Sequence, residues 1–306
     1  MSKSTKKEKV KLSEEFHSLV NAIRDMKWEE VELQLHSPQI KCLNERELFL
    51  AFYTTVLVAC HEIPANNLLI PSHILSVFET LLSFGIDINT ISPQGTTALT
   101  YASKRFQPEL VRYFVSKKAD VNISTCFGSP IIELCKEASN LVRTGDFSNE
   151  EIELHQPLVI QTARILLENG ADPNYEYSDG PKCIITATNT QWFELVQLLL
   201  DYGADFTGGL QTERYLMEES IRYSTPEILK LLLEYGLSPI VPLERKMSPL
   251  SFAKKYEKPE MVEVLNHALK PGGIIRKYST KKIVQKTTPQ SEPVKIPLDE
   301  SLIGQY

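Results

Sequence analysis

Apolar residues fall along this chain in short blocks at helical spacing, separated by polar stretches centred on glycine or proline. Residues 108–116 set Leu110, Val111, Phe114 and Val115 on one helical face, and residues 193–201 do the same with Leu195, Val196, Leu199 and Leu200. The blocks come in pairs: a short one ending in a small residue, then a longer one ending near glycine. The longest apolar run, 48–60, has 13 residues. A helix needs about 20 to cross a bilayer, so this run reads as a buried helix and no membrane span is expected.

The pairs keep a register. Gly85, Lys118, Gly170, Gly203 and Gly236 are separated by 33, 52, 33 and 33 residues. The small residues Ala102, Cys135, Ala187, Ser220 and Ala253 repeat the same steps, and so do the apolar Leu99, Ile132, Ile184, Met217 and Leu250. Asp87, Asp120, Asp172, Asp205 and Ser238 form a further column, read as hydrogen bonding within successive turns rather than as a metal site. Several independent columns in one register mark a true repeat, and the step of 52 is one period plus a 19-residue insertion at 139–157. Earlier, residues 19–35 fit a divergent first unit with Ala22 in the small slot. A second unit runs from 48–51 to 73–85 around another insertion, near 52–70. Seven units result.

Each unit has the same plan. A turn leads into a short helix whose small residue admits a neighbour. A second helix follows, begun in three units by Pro108-Glu109, Pro226-Glu227 or Pro259-Glu260. Proline suits the first helical position and glutamate the positive end of the helix dipole. Glycine then ends the helix with positive φ. No unit can bury its apolar face alone, so the units must stack.

These residues resemble the ankyrin repeat, whose period is 33 and whose signature is T-P-L-H-x-A. The segments TALTYA (97–102) and SPLSFA (248–253) match best, and PIIELC (130–135), KCIITA (182–187) and YLMEES (215–220) are degenerate. The resemblance covers about residues 12–270 and implies an all-α solenoid of stacked helix-turn-helix units joined by short β-turns or hairpins. The signature histidine, which in the family ties neighbouring loops, is replaced by Thr100, Glu133, Ile185, Glu218 and Ser251.

Charge separates the ends from the body. Residues 1–11 carry five lysines and one glutamate, and 271–306 carry six basic and three acidic residues. With a net charge of −6 overall, the body between carries −13. An acidic body with basic ends argues against nucleic-acid binding, which needs a basic face on the fold itself. Both ends are expected to be mostly disordered. Five widely spaced cysteines without a CxxC pair fit reduced thiols and a cytoplasmic location, or a nuclear one. No phosphate loop, GxSxG or HExxH motif occurs. Cys60, His61 and His73 lack zinc-ligand spacing. Cys135 and Cys183 occupy framework slots and are expected to be buried and inert. No catalytic residue, cofactor, metal or small-molecule substrate is expected.

Function is therefore sought on the surface, as a non-catalytic adaptor, scaffold or inhibitor that binds a protein partner. The alternative is a microbial effector that uses the same surface on host proteins, with the C-terminal tail as its secretion or targeting signal. The resemblance implies a concave face of turn tips and first helices. In this register its recognition positions include Lys104 and Arg105, Phe127 and Glu137, Asn189 and Thr190, Arg214, Arg222 and Tyr223, and Arg245, Lys255 and Tyr256. The basic residues among them predict an acidic partner segment, framed by Phe127, Tyr223 and Tyr256. The insertion 139–157 reads as a long polar, acidic loop, either a docking element that joins the concave face in binding the partner or tolerated surface decoration, and Tyr175 and Tyr177 just beyond it read as anchors on an exposed hairpin tip.

Overall fold

The computed structural model describes residues 12–63, 69–175, 182–206 and 210–274. Among them are fourteen α-helices in seven antiparallel pairs and no β-strand. The pairs are α1 (Glu14–Arg24) with α2 (Trp28–Leu35), α3 (Glu45–Glu62) with α4 (Ser72–Ser83), and α5 (Ala98–Lys104) with α6 (Pro108–Ser116). They continue with α7 (Pro130–Arg143) and α8 (Asn149–Glu168), α9 (Cys183–Thr188) and α10 (Phe193–Asp201), α11 (Leu210–Tyr223) and α12 (Pro226–Glu234), and α13 (Pro249–Lys255) and α14 (Pro259–Ala268). The odd-numbered helices pack on one another from α1 to α13 as one row, and the even-numbered helices form a second row behind them. The fold is an all-α solenoid. The segments 1–11 and 275–306, expected to be disordered, lie outside the described residues.

The small-residue column explains the spacing of the first row. Ala102, Cys135, Ala187, Ser220 and Ala253 are all completely buried where successive first helices meet. One apolar core runs without a break from Phe16 in the first unit to Leu265 in the last. The run 48–60 is buried along α3, as its composition requires. No helix among the described residues is long and apolar enough to cross a membrane.

The turns carry the register. Gly85, Gly170, Gly203 and Gly236 take positive φ at the ends of second helices, and Lys118 does so in the same slot at +66°. The next N–H reaches back across the last turn, as in Ala119 to Phe114 and Ala171 to Leu166, both 3.0 Å. A lysine pays a steric penalty there that glycine avoids. Lys118→Gly is expected to stabilise the array by roughly 0.5–1 kcal/mol, read as a higher urea midpoint at unchanged slope. A second left-handed column joins first helices to second ones at Met26, Phe106, Gln191 and Glu257. Because none of these is glycine, the sequence concealed it.

The aspartate column acts as expected. Asp87, Asp120 and Asp172 each accept, through Oδ1, the N–H two residues on at 2.9 Å. The donors of those bonds, Asn89, Asn122 and Asn174, build a ladder between units. Asn89 Oδ1 accepts from Asp120 N (2.8 Å), Asn122 Oδ1 from Asp172 N (2.7 Å) and Asn174 Oδ1 from Asp205 N (2.6 Å). Asn122 and Asn174 also donate from Nδ2 to Gly170 O and Gly203 O, both at 2.8 Å.

The insertion 139–157 is not a long loop. It lengthens α7 to 14 residues, against 7 in α5, and α8 to 20, against 9 in α6. Ser148 and Glu151 form a capping box that starts α8: Ser148 Oγ accepts from Glu151 N (3.2 Å) and Glu151 Oε2 from Ser148 N (2.8 Å). The first insertion likewise begins as helix, because α3 continues to Glu62 before 64–68, which lie outside the described residues.

Candidate functional site

Most of the expected recognition residues stand at the ends of first helices or in the turns beside them. The stack holds them in three groups that cross from unit to unit. In the first, Lys104 at the end of α5 pairs with Glu137 of α7 at 2.9 Å and lies 6.0 Å from the ring of Phe127, which is 42% exposed. Beside them Lys136 bridges Glu133 Oε1 (2.9 Å) and the Phe127 carbonyl. Arg105, the residue after α5, is exposed.

The second group spans three units. Because the insertion extends α7, Arg143 at its end passes over the much shorter α9 and reaches α11. Its guanidinium lies 5.0 Å above the Tyr223 ring and 3.8 Å from Glu219 Oε2. Asn189, the residue after α9, is enclosed beneath. With its amide turned to satisfy both neighbours, it accepts from Arg143 Nη1 (3.0 Å) and donates to Glu219 Oε2 (3.3 Å). Asn189 and Thr190 are 6% and 1% exposed. Thr190 Oγ1 donates to Ala187 O (2.7 Å) and accepts from Trp192 N (3.1 Å). These two residues hold a turn under a roof and offer no contact to a partner. The register puts them among the recognition positions; the roof that buries them comes from the inserted segment, whose path the register could not give.

The third group joins α11 to α13. Arg214 Nε meets Glu218 Oε1 at 3.1 Å, and its Nη2 lies 3.8 Å from Glu244. Glu218, in the slot of the missing histidine, also accepts from Glu244 N in the next turn (2.9 Å), so a carboxylate supplies a tie between neighbouring units. Arg222 stacks against Phe252 and Tyr256, 5.1 Å from each ring, and donates from Nη2 to Tyr256 Oη at 3.2 Å. Lys255 lies 5.4 Å from the same Tyr256 ring. Arg245 and Lys246 form the exposed tip of the last turn, both with positive φ.

The face is therefore not uniformly basic. Lys104 and Arg214 are neutralised by acids of the same row, and Glu133, Glu218 and Glu219 are themselves at most 5% exposed. Arg105, Arg222, Arg245, Lys246, Lys254 and Lys255 form no ion pair among the described residues, and five of these six lie in the last two units. Arg143 and Glu219 escaped the sequence reading. The only signal for them was the position of Arg143 inside an insertion. Tyr175 is half-buried against the core, and its N–H donates to Asp172 O (3.2 Å). Tyr177 lies outside the described residues.

No group of three or more potential metal ligands occurs among the described residues. Burial raises the Cys60 thiol, and burial together with the charge of Arg105 lowers His61. Grooves of about 520 and 540 Å³ lie at the two ends of the stack, one between α1 and α2 and the other between α12 and α14.

Comparison with known proteins agrees with this geometry. The family model for the ankyrin repeat matches residues 94–126. An ankyrin repeat-containing protein of Treponema pallidum (strain Nichols) is 24% identical over 133 residues, 43% of this chain and 38% of the relative. The match thus spans little more than a third of that relative's length. The crystal structure of the human ASB11 ankyrin repeat domain superposes with a TM-score of 0.56 at 18% identity, covering 83% of this chain and 98% of that one. An ankyrin repeat domain from Acinetobacter baumannii AYE gives 0.52 at 19% identity, covering 71% and 97%. The shared fold, the register of the columns and the matched repeat agree: the chain carries an ankyrin repeat at 94–126 and has the fold of ankyrin-repeat domains.

Proposed function

We propose that the chain is a non-catalytic protein-interaction module that holds an acidic segment of its partner against the first-helix face of its sixth and seventh units. Ankyrin repeats are general protein–protein interaction modules, and the fold typically serves binding rather than catalysis. The observation that carries the finer reading is the Arg222 site. Its guanidinium lies 5.1 Å from two rings and donates to the hydroxyl of one of them, beside Lys255, which has no acidic partner among the described residues. An arginine fixed in this way loses little side-chain freedom on meeting a carboxylate. Tyr223 and Tyr256, 42% and 39% exposed, supply apolar area around it. Arginine and tyrosine are the residue types that dominate interface energetics, at roughly 2 kcal/mol or more for a central contact.

The test is affinity capture from lysate of the source cell, comparing the full chain with Arg222→Ala/Tyr223→Ala/Tyr256→Ala. A protein retained by the native chain is expected to be recovered at least tenfold less by the variant, and to elute as salt is raised. Lys104→Ala, which breaks an internal pair, is expected to retain it. Equal recovery by the triple variant, with its helical circular dichroism intact, rejects this surface.

A further inference from the structure

We propose that Cys135 and Cys183 are a modification site: a hydroperoxide converts them to a disulfide that pins the fourth unit to the fifth. Cys135 lies in α7 and Cys183 opens α9, two first helices that pack side by side. Their Sγ atoms are 3.0 Å apart, and the two residues are 0% and 1% exposed. A disulfide bond is about 2.05 Å long, so closure asks for a movement of about 1 Å. Neither slot demands cysteine. Other units fill the Cys135 slot with Ala102, Ala187, Ser220 or Ala253, and the Cys183 slot with Ala98, Ile131, Leu216 or Pro249. Two facing thiols thus stand where packing alone is met by alanine.

The chemistry balances with one oxidant. One sulfur attacks the peroxide oxygen, the O–O bond breaks, and a sulfenic acid and an alcohol (water, for hydrogen peroxide) form. The second sulfur displaces hydroxide from the sulfenic sulfur. With the second thiol's proton it leaves as water. Two thiols lose two electrons and the peroxide gains them. The hydrogen bond with Cys135, followed by burial, raises the Cys183 pKa, so the thiolate is scarce and the reaction slow. The bond would fix α7, whose end carries the Arg143 roof, to the helix that the roof covers.

The test uses the full chain. The exposed thiols Cys42 and Cys126 are first blocked with N-ethylmaleimide under native conditions. Hydrogen peroxide follows, then denaturation, alkylation with iodoacetamide, digestion and mass spectrometry. A cross-linked pair of peptides containing Cys135 and Cys183 is expected, with Cys60 recovered as an alkylated thiol. The melting temperature should rise by about 5 °C, because a cross-link between distant residues restricts the unfolded chain. Cys135→Ala and Cys183→Ala, both residues that the fold already accepts in these slots, should show no rise on oxidation. Recovery of both cysteines as alkylated thiols after prolonged oxidation overturns the proposal. A cross-link without a rise in melting temperature overturns the claim that it pins the units.

Discussion

Phe114→Ala is expected to destabilise the protein by about 3–5 kcal/mol. Phe114 in α6 is completely buried, and its ring meets Phe78 of α4 edge-on at 5.5 Å and Phe52 of α3 at 6.2 Å. One side chain thus closes the interface between the second and third units. Truncation removes its apolar burial and leaves a cavity that helices held by neighbours on both sides cannot collapse to fill. The array confines the damage. Each unit touches only its neighbours, so stability is close to a sum of unit and interface contributions. The first two units should then separate from the rest at lower urea concentration. Hydrogen exchange should show lost protection within 45–83 and retained protection within 183–268. A single transition with uniform loss across both regions would contradict this. Phe114→Leu, which conserves most of the volume, should cost less than about 1.5 kcal/mol.

Asn122→Ala should cost roughly 2–3 kcal/mol, well above the usual loss for a half-exposed polar side chain. Its amide is the ladder's step across the insertion, accepting from Asp172 N at 2.7 Å and donating to Gly170 O at 2.8 Å. Alanine leaves a backbone donor and a backbone acceptor without partners where water reaches them poorly. Asn89→Ala should lose about half as much, because Asn89 makes one such bond, to Asp120 N. Urea midpoints of the two variants compare them directly, and equal costs would show that the Gly170 bond contributes nothing.

Much of the architecture was legible because a repeat states the same local problem several times. Small residues recur where first helices touch, and glycines recur where a helix must end with positive φ. Even the degenerate Lys118 was placed by its column, and the structure gives it the same left-handed backbone. The asparagines at 89, 122 and 174 share the spacing of the other columns. That they stitch one unit to the next could be seen only once the turns were side by side. The segment 139–157 reads as polar and loop-like because its helical extensions stand largely in solvent, away from the core that gives other helices their apolar stripe. The Ser148-x-x-Glu151 cap was the available sign that a helix begins there.

The candidate surface was less legible, for a reason of geometry. The register assigns residues to a face, but it does not say which charges on that face meet. Lys104 and Arg214 find Glu137 and Glu218, and Arg143 crosses a whole unit to cover Asn189 and meet Glu219. Each outcome depends on helix length and on the offset between stacked units, which no single unit encodes. The sequence by itself determined the repeat, its period, the buried columns and the turns, because these follow from contacts that every unit repeats. The tertiary structure decided which charges remain unpaired and which recognition positions reach solvent, because those follow from contacts that only one pair of units makes.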